Sequence, residues 1–121
     1  MLYNQPGERP VEGTKVKVSV MYPMHPGTKF DMTYYVNRHI PMVRGLLGPS
    51  LKGVSVEQGI SGMQPGSSAT YVAMGHLLFD SVTDFQSSFG PHAETIIADI
   101  PKYTNSEPTI QISEVKLQLQ I

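Results

Sequence analysis

Along the chain, apolar residues fall into stretches of two distinct periods. Lys15 to Tyr22 alternates strictly: Val16, Val18, Val20 and Tyr22 point one way, Lys17, Ser19 and Met21 the other. A period of two predicts a strand. Pro23-Met24-His25-Pro26-Gly27 breaks it. From Asp31, which can cap a helix, Met32, Tyr35, Val36, Ile40, Val43 and Leu47 recur mostly at spacings of three and four. That pattern predicts a helix to about Leu47, with His39 in the middle of its apolar face. Pro41 sits inside it, can donate no hydrogen bond to the Asn37 carbonyl, and predicts a kink or restart.

Leu51 to Ile60 reads as a second strand, followed by a Gly/Ser/Pro loop from Gly59 to Ser68. Tyr71 to Asp80 is the third strand. Val72, Met74, His76 and Leu78 share one face; Tyr71, Ala73, Leu77 and Phe79 share the other. A strand apolar on both faces is central and covered twice. Ser81-Val82-Thr83-Asp84 starts a second helical region with Val82, Phe85 and Phe89. After Gly90-Pro91, Ala93, Ile96, Ile97 and Ile100 continue it, and Pro101 stops it. In the last strand Ile110 and Ile112 share one parity, and Val115, Leu117, Leu119 and Ile121 the other. A one-residue change of phase predicts a bulge or bend. The apolar tail beyond it is an edge that invites another chain.

The resulting order, β-α-β-β-α-β, predicts an α+β, ferredoxin-like domain: an antiparallel sheet with helices on one face. Its other face then asks for cover, most simply the same face of a second copy, which predicts a homodimer. With 121 residues the chain fits one domain. Residues 15–121 carry the pattern; 1–14, polar with Gly and Pro and no apolar core segment, read as a flexible arm rather than a secretory signal.

Charge and composition then exclude several functions. The net charge is −1 and the basic residues form no stripe, so neither nucleic acid nor an anionic membrane is an expected partner. No apolar run approaches the roughly 20 residues of a membrane span. There is no cysteine, which removes disulfides, thiolate catalysis and Cys-based metal sites and fits a reducing cytoplasm. The four histidines lack HxxxH or HExxH spacing, so no metal is expected. No GxGxxG, phosphate loop or nucleophile elbow is present, and no cofactor is expected.

Chemistry then rests on a few side chains. His39 is an ionisable group on an apolar face, suited to acid–base work, with Tyr35 one turn earlier and able to touch it. The same position also suits a plain core histidine. His76 lies mid-strand, and alternation alone leaves its sheet face undecided. Tyr103-Thr104-Asn105, just before the last strand, is placed to close a pocket mouth, where Tyr103 and Asn105 offer hydrogen bonds; ordinary turn chemistry is the competing reading. Met21, with Met24, Met63 and Met74, suits an adaptable apolar lining. His39 and Tyr35 are therefore the catalytic candidates, and His76, Tyr103, Asn105 and Met21 the ligand-binding ones.

These residues also carry a resemblance. Met21-Tyr22-Pro23, Phe30-Asp31-Met32-Thr33-Tyr34-Tyr35 leading to His39-Ile40-Pro41, Val54 to Gly59, Tyr71 to Phe79, Tyr103-Thr104-Asn105 and Gln111 to Val115 are similar to the EthD family of dimeric α/β-barrel proteins. The resemblance covers roughly Lys15 to Leu117, with His-x-Pro after a Tyr-containing helix its most typical part. It implies a ferredoxin-like subunit whose sheets meet in a homodimer, and an apolar pocket between sheet and helices. The family's namesake accompanies a haem monooxygenase system for ethyl tert-butyl ether, and similar barrels include isomerases, cyclases and small monooxygenases, most of them acting without a metal or nucleotide. The expectation is a protein of ether or aromatic catabolism that binds a small apolar molecule, either as a cofactor-independent enzyme using His39 or as a non-catalytic accessory to an oxygenase. An assembly module that only dimerises is the third reading.

Overall fold

The computed structural model describes residues 15–121; the arm expected at 1–14 lies outside the described residues. Strands β1 (Val16–Pro23), β2 (Gly53–Gln58), β3 (Tyr71–Phe79) and β4 (Thr109–Glu114) form one sheet in the order β2-β3-β1-β4, every pairing antiparallel. β1 and β3 are central because they carry the densest apolar alternation. The helical elements α1 (Met32–Tyr34), α2 (Ile40–Leu47), α3 (Val82–Phe89) and α4 (Ala93–Ala98) follow β1 and β3. The fold is α+β and ferredoxin-like, as the pattern predicts.

Register sorts the two sheet faces. Val18 opposes Leu77 and Val16 opposes Phe79, and all four are buried beneath the helices. Val18, Leu77 and Phe79 pack with Val43, Leu47 and Ile96. On the other face Ser19 opposes His76 and Met21 opposes Met74. None of those four is fully buried.

Two expectations are refined. The restart expected at Pro41 is present, with α2 beginning at Ile40 and Pro41 in its first turn, and it takes the form of a change in helical type. Between α1 and α2 the five residues Tyr35–His39 form a π-helical turn, with the Ile40 N–H bonded to the Tyr35 carbonyl. This wider turn is a known way to absorb the missing donor and crowded carbonyl that a helical proline creates. The phase change in the last strand is not a bulge. Pairing of β4 with β1 is unbroken from Thr109 to Glu114 and continues with the Val115 N–H on the Lys15 carbonyl at 2.9 Å. Ile110 and Ile112 oppose Val20 and Val18 on the helix side, so Val115 takes the parity of the open side. The side on which the apolar residues lie changes while the register stays constant.

Caps follow the predicted signals. Asp31 accepts from the Tyr34 N–H at 3.0 Å, and Ser81 accepts from the Asp84 N–H at 3.0 Å.

Candidate functional site

The Asp31 cap and the π turn decide where His39 goes. Tyr35 and His39 stand at the two ends of that turn, their rings stacked with centroids 5.4 Å apart, and both are buried. The segment before β4 supplies Tyr103 against them. Its backbone is fastened to the β1–α1 loop: Asp31 N–H donates to the Tyr103 carbonyl at 2.7 Å, and Thr104 Oγ1 donates to the Lys29 carbonyl at 2.7 Å. Asn105 completes this clip, accepting from Lys29 N–H at 2.8 Å and donating to the Gly27 carbonyl at 3.1 Å.

His39 is not bonded to backbone. Its Nδ1 lies 2.9 Å from Asp99 Oδ2, a residue 60 positions away at the end of α4. Asp99 also accepts from the Tyr34 hydroxyl at 2.9 Å, and Lys102 Nζ stands 3.4 Å from it. Burial pushes the Asp99 carboxyl upward, but the His39 and Tyr34 donors outweigh it and hold it below the ordinary 3.8. Burial pulls His39 below its ordinary 6.5 despite Asp99. At neutral pH the pair is therefore a carboxylate and a neutral imidazole. A carboxylate only accepts, so Nδ1 carries the proton and Nε2 keeps its lone pair.

That lone pair meets a row of phenols. The Tyr103 hydroxyl is 3.5 Å from Nε2, at the edge of hydrogen-bond range, and 2.5 Å from the Tyr22 hydroxyl; the Tyr22 and Tyr35 rings meet edge-on with centroids 5.8 Å apart. Burial raises all three phenols well above the ordinary 10, so they are neutral donors. With Asp99 as the terminal acceptor, the protons point in sequence from Tyr22 through Tyr103 to His39. Gly75 makes room for the neighbouring Tyr35 hydroxyl. A Cβ there would stand 2.2 Å from the Tyr35 hydroxyl, so only glycine leaves room in mid-β3.

Beside this row, between sheet and helices, lies a cavity of about 100 Å³. His39, Tyr35 and Tyr22 form its polar wall, and Val18, Val43, Leu77, Phe85 and Ile96 are among its apolar ones. An imidazole lone pair set against a carboxylate and facing an apolar space can accept a proton; the neighbouring phenols can donate to an oxygen that gains charge.

The six sequence-predicted residues separate into three groups. His39, Tyr35 and Tyr103 come together on the helix side. His76 and Met21 lie on the open sheet face, away from the cavity. Asn105 spends both ends of its amide on the loop clip. Asp99 and Tyr22 belong to the arrangement, but neither is a site residue in the sequence reading, and Tyr22 enters it only through the β1 alternation and the Met21-Tyr22-Pro23 resemblance. Asp99 does carry a signal: it sits three residues after Ile96, on the helix face that the isoleucines bury. No group of three or more His, Cys, Asp or Glu residues that could hold a metal occurs among the described residues. No helix of the described residues is long and apolar enough to cross a membrane.

The model of the EthD domain family matches residues 28–107. Among solved structures, an EthD-like protein from Ralstonia eutropha JMP134 is 39% identical, with 88% of this chain and 96% of that chain covered and a TM-score of 0.84. An EthD family protein from Bacillus halodurans C-125 is 22% identical over 84% of this chain and 98% of that one, with a TM-score of 0.63. A dimeric ferredoxin-like protein of unknown function from Thermobifida fusca YX shares the fold at 15% identity, 91% and 98% coverage and a TM-score of 0.50. No curated protein matches the chain.

Proposed function

The chain belongs to the EthD family, and from that premise we propose that it is a cytoplasmic, homodimeric protein of small-molecule catabolism that holds a compact, largely apolar ether-derived or aromatic compound beside His39 and acts on it without a cofactor. Isomerisation, cyclisation and oxygenation are the reaction classes this covers. The observation that carries the reading is the His39 imidazole itself: bonded to Asp99 at Nδ1, with Nε2 3.5 Å from the Tyr103 hydroxyl, and His39 among the residues that line the cavity.

In this reading the ligand displaces the weak 3.5 Å contact between Tyr103 and Nε2. Nε2 removes a proton from an acidic carbon or hydroxyl, and Asp99 stabilises the imidazolium through Nδ1–H. Phenols from Tyr103 or Tyr22 donate to the oxygen that becomes negative. The dimer reading has separate support: β3 is apolar on both faces, and Val115, at the end of β4, takes the parity of the open face.

The test uses ethyl tert-butyl ether, phenol and a lactone with an acidic α-hydrogen as probes, with calorimetry for binding and NMR in heavy water for proton exchange or conversion. The intact protein is expected to exchange or convert at least one probe, and His39→Ala to lose that rate by about 10²–10⁴-fold. Full turnover by His39→Ala overturns the catalytic role. Tight binding without any exchange or conversion favours the accessory reading.

A further inference from the structure

The open face of the sheet carries a second hydrogen-bonded histidine, built across three strands. Ser19 of β1 lies with Oγ 2.8 Å from His76 Nδ1 on β3, and His76 Nε2 is 2.8 Å from Glu57 Oε1 on β2. Half-buried Met21, Met74 and Leu78 share this face with the polar row. The His76 side chain is 20% exposed and that of Glu57 44%. The other charged groups of this parity are Lys17 on β1 and the Lys15–Asp80 pair at the sheet end; β4 contributes uncharged Thr109, Gln111 and Ser113.

Resting on the homodimer reading above, in which this face meets the same face of a second copy, we propose that the Ser19–His76–Glu57 row couples dimerisation to proton uptake. Three features favour a second copy as the occupant. The face is partly apolar and carries both signs of charge, so it can complement itself. Val115, which follows β4 and bonds to the Lys15 carbonyl, takes the parity of this same side and extends its apolar surface by one residue past β4. A solved protein of this fold is described as dimeric.

The linkage follows from charge. With neutral His76, Nε2–H donates to Glu57 and Nδ1 accepts from Ser19; with protonated His76, both nitrogens donate and the serine hydroxyl turns to accept. Every group is satisfied in both states, but the net charge differs. The neutral imidazole leaves Glu57 as an uncompensated anion. The imidazolium makes the pair neutral overall. Association takes the row out of water and brings two of them together, which penalises two uncompensated anions far more than two ion pairs. The dimer therefore binds protons more tightly than the monomer, and association strengthens as pH falls.

Sedimentation equilibrium of the full chain between pH 5.5 and 8.5 tests this. The dimer Kd is expected to weaken by about tenfold or more from pH 6 to pH 8, with a limit of two protons per dimer. His76→Gln removes the titrating group and is expected to flatten the profile. Glu57→Gln is expected to reverse its sign, because protonation would then bury an unpaired cation. A fold defect cannot produce that reversal. A dimer with a flat wild-type profile, or a Glu57→Gln protein keeping the wild-type slope, overturns the linkage and leaves the dimer standing. A chain monomeric at every pH overturns the dimer reading and the linkage with it.

Discussion

The two faces of the sheet each hold a histidine against a carboxylate, and the two pairs differ in almost everything but that contact. His39 and Asp99 meet at 2.9 Å with side chains 6% and 9% exposed. His76 and Glu57 meet at 2.8 Å with side chains 20% and 44% exposed. The first pair is enclosed by aromatic rings and further donors; the second stands on an open surface beside a serine. Equal geometry thus carries unequal energy, because the worth of a charged contact depends on how much water its loss would return to each partner. The same contrast separates their roles. A sealed pair fixes a tautomer and a basicity, whereas an open pair still has its desolvation ahead of it and can respond to a partner.

The most direct way to break this comparison is to delete each carboxylate. Asp99→Ala leaves the Nδ1–H of neutral His39 and the Tyr34 hydroxyl without their acceptor, and a buried donor left unsatisfied typically costs about 1–3 kcal/mol. Glu57→Ala removes a half-exposed partner and is expected to cost about 0–1 kcal/mol. Urea unfolding of both variants at one protein concentration and neutral pH checks the ranking. Similar losses would mean that enclosure does not set the worth of these pairs.

A smaller effect tests how tightly the sealed side is built. Gly75→Ala drives a methyl group against the Tyr35 hydroxyl and is expected to cost about 1–3 kcal/mol as overpacking. In a Tyr35→Phe background the offending oxygen is gone and the nearest ring carbon is 3.4 Å away, so much of that cost is expected to disappear. The readout is the coupling energy of the double-mutant cycle, expected at about 1 kcal/mol or more. Additive losses would show that Gly75 is not there to seat Tyr35. Ala substitution at a surface glycine of ordinary φ, such as Gly45, provides the contrast.

These same elements mark how far the sequence could be read. Strands were legible because the two-residue period of β1 and β3 is a direct image of burial on alternate faces. His39 and Tyr35 were legible as neighbours because helical spacing brings positions four apart together, and the π turn preserves that contact. The faces themselves were not: alternation says that His76 opposes Leu77 in orientation, but only the packed helices say which side is inside. The phase change before Val115 was visible and misassigned, since a bulge and a change of which side is apolar leave the same trace in sequence. Asn105 offered polar atoms, and the backbone groups that consume them lie in a loop some 76 positions away. Asp99 was hidden for a related reason. Its partner is 60 residues distant, and a single aspartate before Pro101 looks like a helix end until tertiary structure brings His39 to it.

The smallest expected effect concerns the titration of the sealed pair. His39 is held below 6.5 in the folded chain, so the unfolded chain binds its proton first, and folding stability is complete above 6.5 and falls as pH drops through the lower folded value. Asp99 is held below 3.8, so its contribution is present above 3.8 and is lost as pH falls through its own folded value. Both signs agree: the protein is expected to lose stability in two successive steps on acidification from neutral pH. Tyr34→Phe removes one hydroxyl donor from Asp99 while leaving His39 in place. The carboxyl then loses part of what holds it down, and the second step is expected to move to higher pH while the first changes little. Unfolding midpoints of the two proteins from pH 3 to 7 read this directly. If the second step stays fixed in the Tyr34→Phe protein, the Tyr34 hydroxyl does not tune Asp99. If the first step moves as far as the second, the two groups titrate as one unit, and the basicity of His39 is then set from the solvent-facing side of the carboxylate as well as from the cavity.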